Sequence, residues 1–179
     1  MTKSAPKRLF LLRHALASWP SIGAKDFDRP LDPSGFSIID ELAQDMAAQN
    51  MIPEAILCSA ALRTQQTMEH LQAYWPKAQM PDASMIEFSD RLYCGSASDY
   101  LQSIQDFGYL YEECQSLMII GHNPSIEDLT FALTGNQTGI AFERLRAGFP
   151  TAGLAILEFE VPFTEISPRQ GQLISFPTL

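Results

Sequence analysis

The sequence carries little positive charge for its size. Lysines and arginines number 12 against 21 aspartates and glutamates, which gives a formal net charge of -9 at pH 7. Nucleic acids and anionic membranes are bound through basic faces that displace counterions, so neither is expected as a partner. An anion that binds this protein must therefore find a locally positive site on an otherwise acidic chain.

Cysteine and long apolar runs are also scarce. The three cysteines, Cys58, Cys94 and Cys114, are too far apart to form a C-x-x-C pair. They indicate neither a disulfide framework nor a zinc site. No run approaches the ~18 apolar residues of a membrane span, and Leu9–Leu12 is shorter than the roughly 7 to 15 residues that a secretory signal needs. We therefore expect a cytoplasmic protein with reduced thiols and no bound metal.

Short apolar runs alternate with segments of helical periodicity, which is typical of α/β proteins. The 179 residues are 46% hydrophobic and 18% charged, an ordinary globular composition that fits one domain over residues 1–179. The last two expected strands should pair as an antiparallel hairpin at one end of the sheet. The apolar runs that predict strands are Leu9–Leu12, Ala55–Cys58, Ser84–Phe88, Leu117–Ile120, Leu154–Val161 and Leu173–Phe176.

Four helices are predicted between these runs. Asp32 followed by Pro33 is typical of an N-cap and a first helical residue. The pair Asn123 and Pro124 predicts a second such start, for a helix that ends at Gly135. Two further helices are expected at about residues 61–74 and 98–107. Gly108 is expected in the left-handed conformation that follows a helix end.

Polar residues follow several of the predicted strands at the point where each strand ends. "RLFLLRH" ends with Arg13 and His14, "SLMIIGH" ends with His122, and "AILCSAALRT" carries Arg63 into the next helix. Ligands of open α/β sheets bind outside the carboxyl ends of the strands, so these four side chains should meet at one edge. Guanidinium groups match phosphate oxygens, and a helix N-terminus at Asn123 adds free N–H groups. The pattern predicts a site for a phosphoryl group.

Four sequence blocks carry a resemblance to a known family. "LLRHALASW", "DFDRPLDPSG", "CSAALRTQQT" and "IIGHNPSIEDL" are similar to the histidine phosphatase superfamily, in particular to its small phosphohistidine-phosphatase branch. The similarity runs through most of the chain to "PTAGLAILEF". Together with the α/β pattern, it implies a three-layer α/β/α sandwich with a mixed, mostly parallel sheet, similar to phosphoglycerate mutase. It implies a metal-independent phosphatase that needs no cofactor.

The same resemblance implies a role for each strand-end residue. His14 is the expected nucleophile, which forms a phosphohistidine intermediate. Arg13 and Arg63 are expected to bind the phosphoryl oxygens, and His122 to complete the site and to stabilise charge. A histidine nucleophile needs one free ring nitrogen, so the other nitrogen of His14 should donate to a carbonyl that fixes the tautomer.

The chain departs from the broader family at two places. Ala15 stands where many members carry glycine. No glutamate lies near Leu92, where phosphomonoesterase and mutase relatives place a general acid, and Tyr93 and Cys94 are poorly suited to that role. An imidazole, with a pKa near 6.5, leaves readily once its other nitrogen is protonated. The missing acid therefore favours phosphohistidine on a signalling protein as the substrate.

Several alternatives stay open at this point. A displaced carboxylate is available from Asp26, Asp28, Glu127 or Asp128, which would suit a small-molecule phosphomonoesterase. A phosphate-binding module with little turnover is a further reading, and a metabolite substrate would suit a closing loop over residues 135–150. Ser18 and Trp19 are candidates for lining the entrance. A cysteine phosphatase is disfavoured because only four residues separate Cys58 from Arg63, and no G-x-S-x-G motif indicates a serine hydrolase.

Overall fold

A central sheet organises the residues that the computed structural model describes, 5–19 and 22–177. Within this range six strands form one sheet: β1 Lys7–Arg13, β2 Ala55–Ser59, β3 Ile86–Ser89, β4 Ser116–Gly121, β5 Leu154–Phe159 and β6 Gln172–Ser175. Their order is β3-β2-β4-β1-β5-β6, and β5 alone runs antiparallel to its neighbours. The mixed, mostly parallel sheet and its terminal hairpin are confirmed, with every strand end within two residues of its prediction.

Helices cover both faces of this sheet. They are α1 Pro33–Ala48, α2 Leu62–Tyr74, α3 Arg91–Cys94, α4 Ala97–Leu110, α5 Ser125–Thr134 and α6 Ile140–Arg146. Side chains alternate across a strand, so Phe10 and Leu12 pack with α1 and α2 while Leu9 and Leu11 pack with α4, α5 and α6. The three-layer sandwich follows from this alternation.

Burial on both faces explains why the central strands are continuous apolar runs. Leu9–Leu12 and Leu117–Ile120 are at most 1% exposed. A parallel sheet with helices on both sides has no wet face on which polar residues would alternate. The runs that the sequence shows are therefore the two strands at the centre of the sheet.

The start of α1 is as predicted. Asp32 is the N-cap and its side chain accepts a hydrogen bond from the backbone N–H of Ser34, while Pro33 is the first helical residue. The start of α5 was predicted wrongly. Pro124 is the N-cap, after a cis peptide bond with Asn123, and the side chain of Asn123 donates instead to Glu127.

Gly108 was also placed wrongly, because α4 continues through it to Leu110. A Cβ atom at Gly108 would lie 2.7 Å from the backbone nitrogen of Thr164 and 2.8 Å from the Cβ of Phe163. The glycine thus allows the turn Phe163–Glu165 to approach the helix. Gly135 does end α5 with a positive φ of 62°.

Helix α6 was not predicted and lies in the segment that was expected to be a loop. It spans seven residues and buries only Phe142 and Leu145, too few for a helical period to stand out. Across the described part of the chain, no helix is long and apolar enough to cross a membrane.

Candidate active site

Three neighbouring parallel strands, β2, β4 and β1, end at the same edge of the sheet. Arg13, the last residue of β1, is paired in register with Gly121, the last residue of β4. His14 and His122 come next, and their ring centroids are 5.1 Å apart. The backbone N–H of His14 donates to the carbonyl of Gly121 at 3.1 Å. Strand register thus places the two histidines side by side.

The ring of His14 is held by the backbone of the next residue. Its Nδ1 lies 2.7 Å from the carbonyl oxygen of Ala15, so a proton on Nδ1 is donated there and the lone pair is left on Nε2. Burial lowers the pKa of His14 to about 4, and the guanidinium groups of Arg63 and Arg13 act in the same direction. The imidazole is therefore neutral at neutral pH.

Ala15 fits the position where many relatives of the resembled family carry glycine. Its φ is not positive, so the methyl group brings no left-handed strain. The residue is fully buried, and its N–H donates to the hydroxyl of Thr67 at 3.1 Å. That hydroxyl donates in turn to the carbonyl of Arg63 at 2.7 Å. One threonine thus connects the loop after β1 to the helix that carries Arg63.

His122 is more deeply buried than His14. Its Nε2 lies 2.8 Å from the hydroxyl of Ser59, at the end of β2, and its Nδ1 is buried without a hydrogen-bond partner. Burial lowers the pKa of His122 to about 3, with further contributions from His14 and Arg63. If Ser59 donates to Nε2, then Nδ1 carries the proton and is the free donor of this ring.

Tyr100 fixes the backbone at His122, a contact that the sequence analysis missed. Its buried hydroxyl accepts from the N–H of His122 at 3.1 Å and donates to the carbonyl of Leu92 at 2.6 Å. A Cβ atom at Gly121 would lie 2.6 Å from Cε1 of the Tyr100 ring. The glycine before the histidine in "SLMIIGH" is the signal for this close approach.

Arg13 contributes donors from the end of β1. Its Nη1 donates to the carbonyl of Phe149 at 2.7 Å, and its buried Nε has no partner. The amide of Asn123 also donates to the Phe149 carbonyl, at 3.3 Å. The end of the 135–150 segment therefore touches the site, although the rest of that segment contains α6.

Arg63 meets Asp26, one of the candidate carboxylates of the sequence analysis. Its Nη1 and Nη2 donate to the backbone oxygen and to Oδ2 of Asp26, at 2.7 Å and 3.1 Å. Arg29 donates to Oδ1 of the same carboxylate at 2.9 Å, and the hydroxyl of Tyr93 donates to Oδ2 at 3.0 Å. Asp26 is thus bound by three side chains.

These residues form two layers. We call Arg13, His14, Arg63 and His122 the site floor, and Asp26, Arg29 and Tyr93 the site rim. The layers are joined by the hydrogen bonds from Arg63 to Asp26 and by an edge contact between the rings of Tyr93 and His122, whose centroids are 5.7 Å apart. The hydrogen bond from Arg29 lowers the pKa of Asp26 to about 2, and Tyr93 and Arg63 act in the same direction. Burial and then Asp26 raise the pKa of Tyr93.

The other candidate carboxylates lie differently. Asp28 and Asp128 are exposed, while Glu127 is half-buried and accepts from Asn123 at 2.7 Å. Glu127 also acts electrostatically on Arg13. Of the three, Glu127 is therefore the carboxylate beside the floor.

Burial and contacts describe three nearby residues that the sequence analysis considered. Cys58 is fully buried in the core between the sheet, α1 and α2, and this burial raises the pKa of its thiol, which disfavours Cys58 as a nucleophile. Ser18 reaches the rim through its carbonyl, which accepts from Arg29 at 3.0 Å. Trp19 is 92% exposed and packs on neither layer.

Unpartnered polar atoms gather at this site. Five buried side-chain atoms lack a hydrogen bond in the described part of the chain, and three of them belong to Arg13, His122 and Asn123. Buried polar atoms are nearly always paired in proteins, so such a cluster indicates a place for a ligand. Two of the three, Nε of Arg13 and Nδ1 of His122, are suited to donate to an anion.

The chain is similar to one family model and to several known proteins. The family model described as histidine phosphatase superfamily (branch 1) matches residues 9–99. An uncharacterized protein of Mycobacterium tuberculosis is 28% identical over 168 residues, which cover 92% of this chain and 98% of that protein. An uncharacterized chloroplastic protein of Arabidopsis thaliana is 31% identical over 134 residues, which cover 74% of this chain and 61% of that protein.

Solved structures share the fold over nearly the whole length. A crystal structure from Agrobacterium tumefaciens, of a protein that bears the name phosphohistidine phosphatase SixA, is 33% identical. The match covers 98% of this chain and 100% of the Agrobacterium chain, with a TM-score of 0.77. A protein of the same name from Nakamurella is 21% identical with a TM-score of 0.81 and covers 98% of both chains; at that identity the likeness concerns the fold.

Proposed function

This chain belongs to the histidine phosphatase superfamily and is a phosphatase, and from that premise we propose that it removes phosphate from phosphohistidine through a covalent intermediate on His14. One observation carries the proposal. The Nε2 atom of His14 keeps its lone pair beside two guanidinium groups, because Nδ1 is engaged by the Ala15 carbonyl.

In the first step the Nε2 lone pair of His14 attacks phosphorus. The bond between phosphorus and the leaving imidazole breaks, and its electron pair stays on that imidazole nitrogen. The imidazole departs neutral because its other nitrogen already holds a proton. Only a neutral attacking histidine can perform this step, which is consistent with the depressed pKa of His14.

The rest of the floor stabilises the transferring phosphoryl group. Arg13 and Arg63 offer fixed positive charge and N–H donors to its oxygens. The unpartnered Nε of Arg13 and Nδ1 of His122 would gain acceptors when those oxygens arrive. Donors that are positioned before the reaction stabilise the developing charge without reorganisation.

In the second step water attacks the phosphorus of the phosphorylated His14. The bond from phosphorus to Nε2 breaks, phosphate leaves, and the proton of the water is taken up by phosphate or by solvent. The residues 5–19 and 22–177 contain no group of three His, Cys, Asp or Glu side chains placed to hold a metal ion. The two proposed steps use only side chains, substrate and water.

The rim favours a substrate with a phosphorus–nitrogen bond. An ester oxygen needs a proton as it leaves, but Asp26 is ionised with a pKa of about 2, and the pKa of Tyr93 is raised. Neither is suited to be that acid. An imidazole brings its own proton. The name of the 33% identical protein from Agrobacterium tumefaciens supports the same substrate class, and we place the phosphohistidine on a cytoplasmic signalling protein.

The test is a rapid-quench experiment in alkaline SDS, which preserves phosphohistidine, on chelator-treated protein. Wild type, His14→Ala and His70→Ala are mixed with a phosphohistidine peptide labelled in its phosphate, and acid-labile protein-bound phosphate is measured with turnover. We expect His14→Ala to lose the phosphoenzyme and roughly 10⁴-fold or more in turnover. His70 is the matched control, since it pairs with Asp40 through Nδ1 at 2.9 Å, away from the site. A phosphoenzyme that persists in His14→Ala would overturn the proposal.

A small-molecule phosphomonoesterase is the second candidate, and Glu127 is the observation that favours it. Its carboxylate lies next to Asn123 and acts on Arg13, where a displaced general acid would be useful. An aryl phosphate run alongside the phosphohistidine peptide separates the two functions. Preference for the aryl phosphate, abolished by Glu127→Gln, would favour the esterase. Binding of phosphate with no turnover of either compound would favour a binding module.

A further inference from the structure

We propose that Asp26 makes the site selective for leaving groups that carry positive charge, by accepting a hydrogen bond from the protonated nitrogen of a phosphoimidazolium. This inference rests on the proposed function and names the residue that would read the substrate class. It assigns the rim a role of its own, separate from that of the floor.

The carboxylate has room for one more donor. Oδ1 accepts from Arg29, and Oδ2 accepts from Arg63 and from Tyr93. A carboxylate offers about four lone-pair sites, so these three bonds leave one, on Oδ1. The Asp26 side chain is 52% exposed, against 7% for Arg63, so solvent or an entering group can reach this remaining site.

In the proposed geometry the leaving group departs on this side. His14 attacks from the floor, with its ring held against the backbone of Ala15. An in-line displacement places the leaving nitrogen opposite the attacking nitrogen, away from the floor and toward the exposed layer. The rim supplies the exposed charges there, and Asp26 is the anion among them. Its charge also reaches His122, which places the carboxylate within electrostatic range of the reacting groups.

Asp26 carries the negative charge of the rim, between two arginines and a tyrosine hydroxyl. Arg29 directly follows the turn that contains Asp26, Arg63 lies in α2 and Tyr93 lies in α3. These partners keep it ionised, with a pKa of about 2. A phosphoimidazolium meets this carboxylate with opposite charge, whereas a departing phenolate meets it with like charge. In the reaction the phosphorus–nitrogen bond breaks, and the ring leaves neutral with its proton still on the other nitrogen.

Two small probes and two matched variants test the inference. Phosphoimidazole and an aryl phosphate avoid any contribution from a protein carrier. Asp26→Asn removes the charge but keeps an oxygen for Arg63 and Tyr93. Asp28→Asn removes an equal charge from an exposed residue two positions along the same turn. Each protein is measured for kcat/KM on both probes between pH 5.5 and 8.5.

We expect Asp26→Asn to lose roughly 10- to 100-fold in kcat/KM on phosphoimidazole, the value of a hydrogen bond to a charged group. On the aryl phosphate it should rise or change less than about threefold, since a screened surface charge contributes little. The loss in kcat/KM should be similar at pH 5.5 and pH 8.5, because wild type and variant act on the same population of free protonated ring and Asp26 stays ionised over this range. Asp26→Glu should restore most of the preference, and Asp28→Asn should match wild type.

The outcomes separate this inference from the proposed function. Equal losses on both probes in Asp26→Asn would show that the carboxylate only positions Arg63, and would overturn the inference alone. The same shift in Asp28→Asn would reduce the effect to net charge and overturn it as well. A wild type that turns over the aryl phosphate in preference to phosphoimidazole would overturn the proposed function and the inference together.

Discussion

The floor and the rim of the site lie within a few ångströms of each other but are built in different ways. Arg13 ends β1, His14 and His122 directly follow β1 and β4, and backbone hydrogen bonds of the sheet fix their positions. The rim comes from the short turn Asp26–Asp28 and the four-residue helix α3. Its residues are held by side-chain bonds to one carboxylate.

The floor and the rim also differ in the protonation states of their residues. Burial depresses the pKa values of both floor histidines, so the floor holds neutral rings among fixed cations. The rim holds an ionised carboxylate that is compensated by its own neighbours. Under the proposed function, bond making belongs to the buried layer and recognition of the leaving group to the solvated one.

Replacing arginines one layer at a time should give the largest contrast. Arg63→Ala removes phosphate donors from the floor and should lower kcat/KM by about 10²- to 10³-fold, the value of an oxyanion donor. Arg29→Ala removes a rim charge and should lower it by about tenfold or less. Steady-state kinetics on phosphohistidine peptide measures both. Equal losses would mean that the two layers act as one unit.

Acid should act on the floor before it acts on the rim. His14 and His122 have pKa values of about 4 and 3 in the folded chain, against an ordinary value of 6.5. Between pH 6.5 and 4 the unfolded chain therefore binds more protons, and stability falls as pH decreases through this window. The slope is at most about 1.4 kcal/mol per pH unit for each histidine. The depressed pKa of Asp26 affects stability only below this window, because both its folded and its unfolded values are lower.

Urea unfolding of wild type at pH 7.5 and pH 5 measures this loss. The double variant His14→Asn and His122→Asn is the control and should show a flatter pH dependence. Activity should follow a separate limit, with kcat/KM falling as pH approaches 4 because a protonated His14 has no lone pair for attack. A pH dependence of stability that survives in the double variant would place the responsible groups outside the floor.

A methyl group at Gly121 should disturb the support of the floor. Gly121→Ala drives a Cβ atom into the ring of Tyr100, and overpacking of a tight core costs about 1–3 kcal/mol. Thermal unfolding measures the cost, and kinetics should show a loss of kcat because the backbone of His122 shifts. Adding Tyr100→Leu should recover part of the stability. Wild-type stability in the single variant would contradict the close approach.

The smallest change should come from one hydroxyl at the rim. Tyr93→Phe removes a single hydrogen bond to Asp26 at an exposed site, and we expect an effect below about 1 kcal/mol on stability. Tyr109→Phe, at a side chain that is 68% exposed, is the matched control. A loss of kcat/KM in Tyr93→Phe as large as that in Arg63→Ala would assign the hydroxyl a direct part in the reaction.

The floor could be predicted from the sequence because the ends of its buried strands are visible in the sequence. The buried runs before Arg13 and before His122 are continuous, and register in a parallel sheet aligns their carboxyl ends. The sequence did not predict that the rim residues meet, and this failure has a physical reason. Asp26 and Tyr93 are 67 positions apart, on elements of three or four residues. Such elements are too short for a hydrophobic period, so a pattern along the chain does not show that they meet.

Helix ends show a similar limit. The prediction at Asp32 was correct because its side chain makes a bond to Ser34, two residues away. At Gly108 the same local reasoning failed, because a distant turn at Phe163 uses the glycine for close packing. Local signals hold where local bonds decide the structure, and they fail where tertiary contacts do.

The direction of β5 has a consequence for how such a site can change. As the antiparallel neighbour of β1, it begins at the edge where the other strands of the site end. The segment before it therefore enters the site, with the Phe149 carbonyl on Arg13 and the N–H of Ala152 on the carbonyl of His14. One reversed strand allows a second stretch of chain to change its length or sequence beside His14 while the sheet stays unchanged.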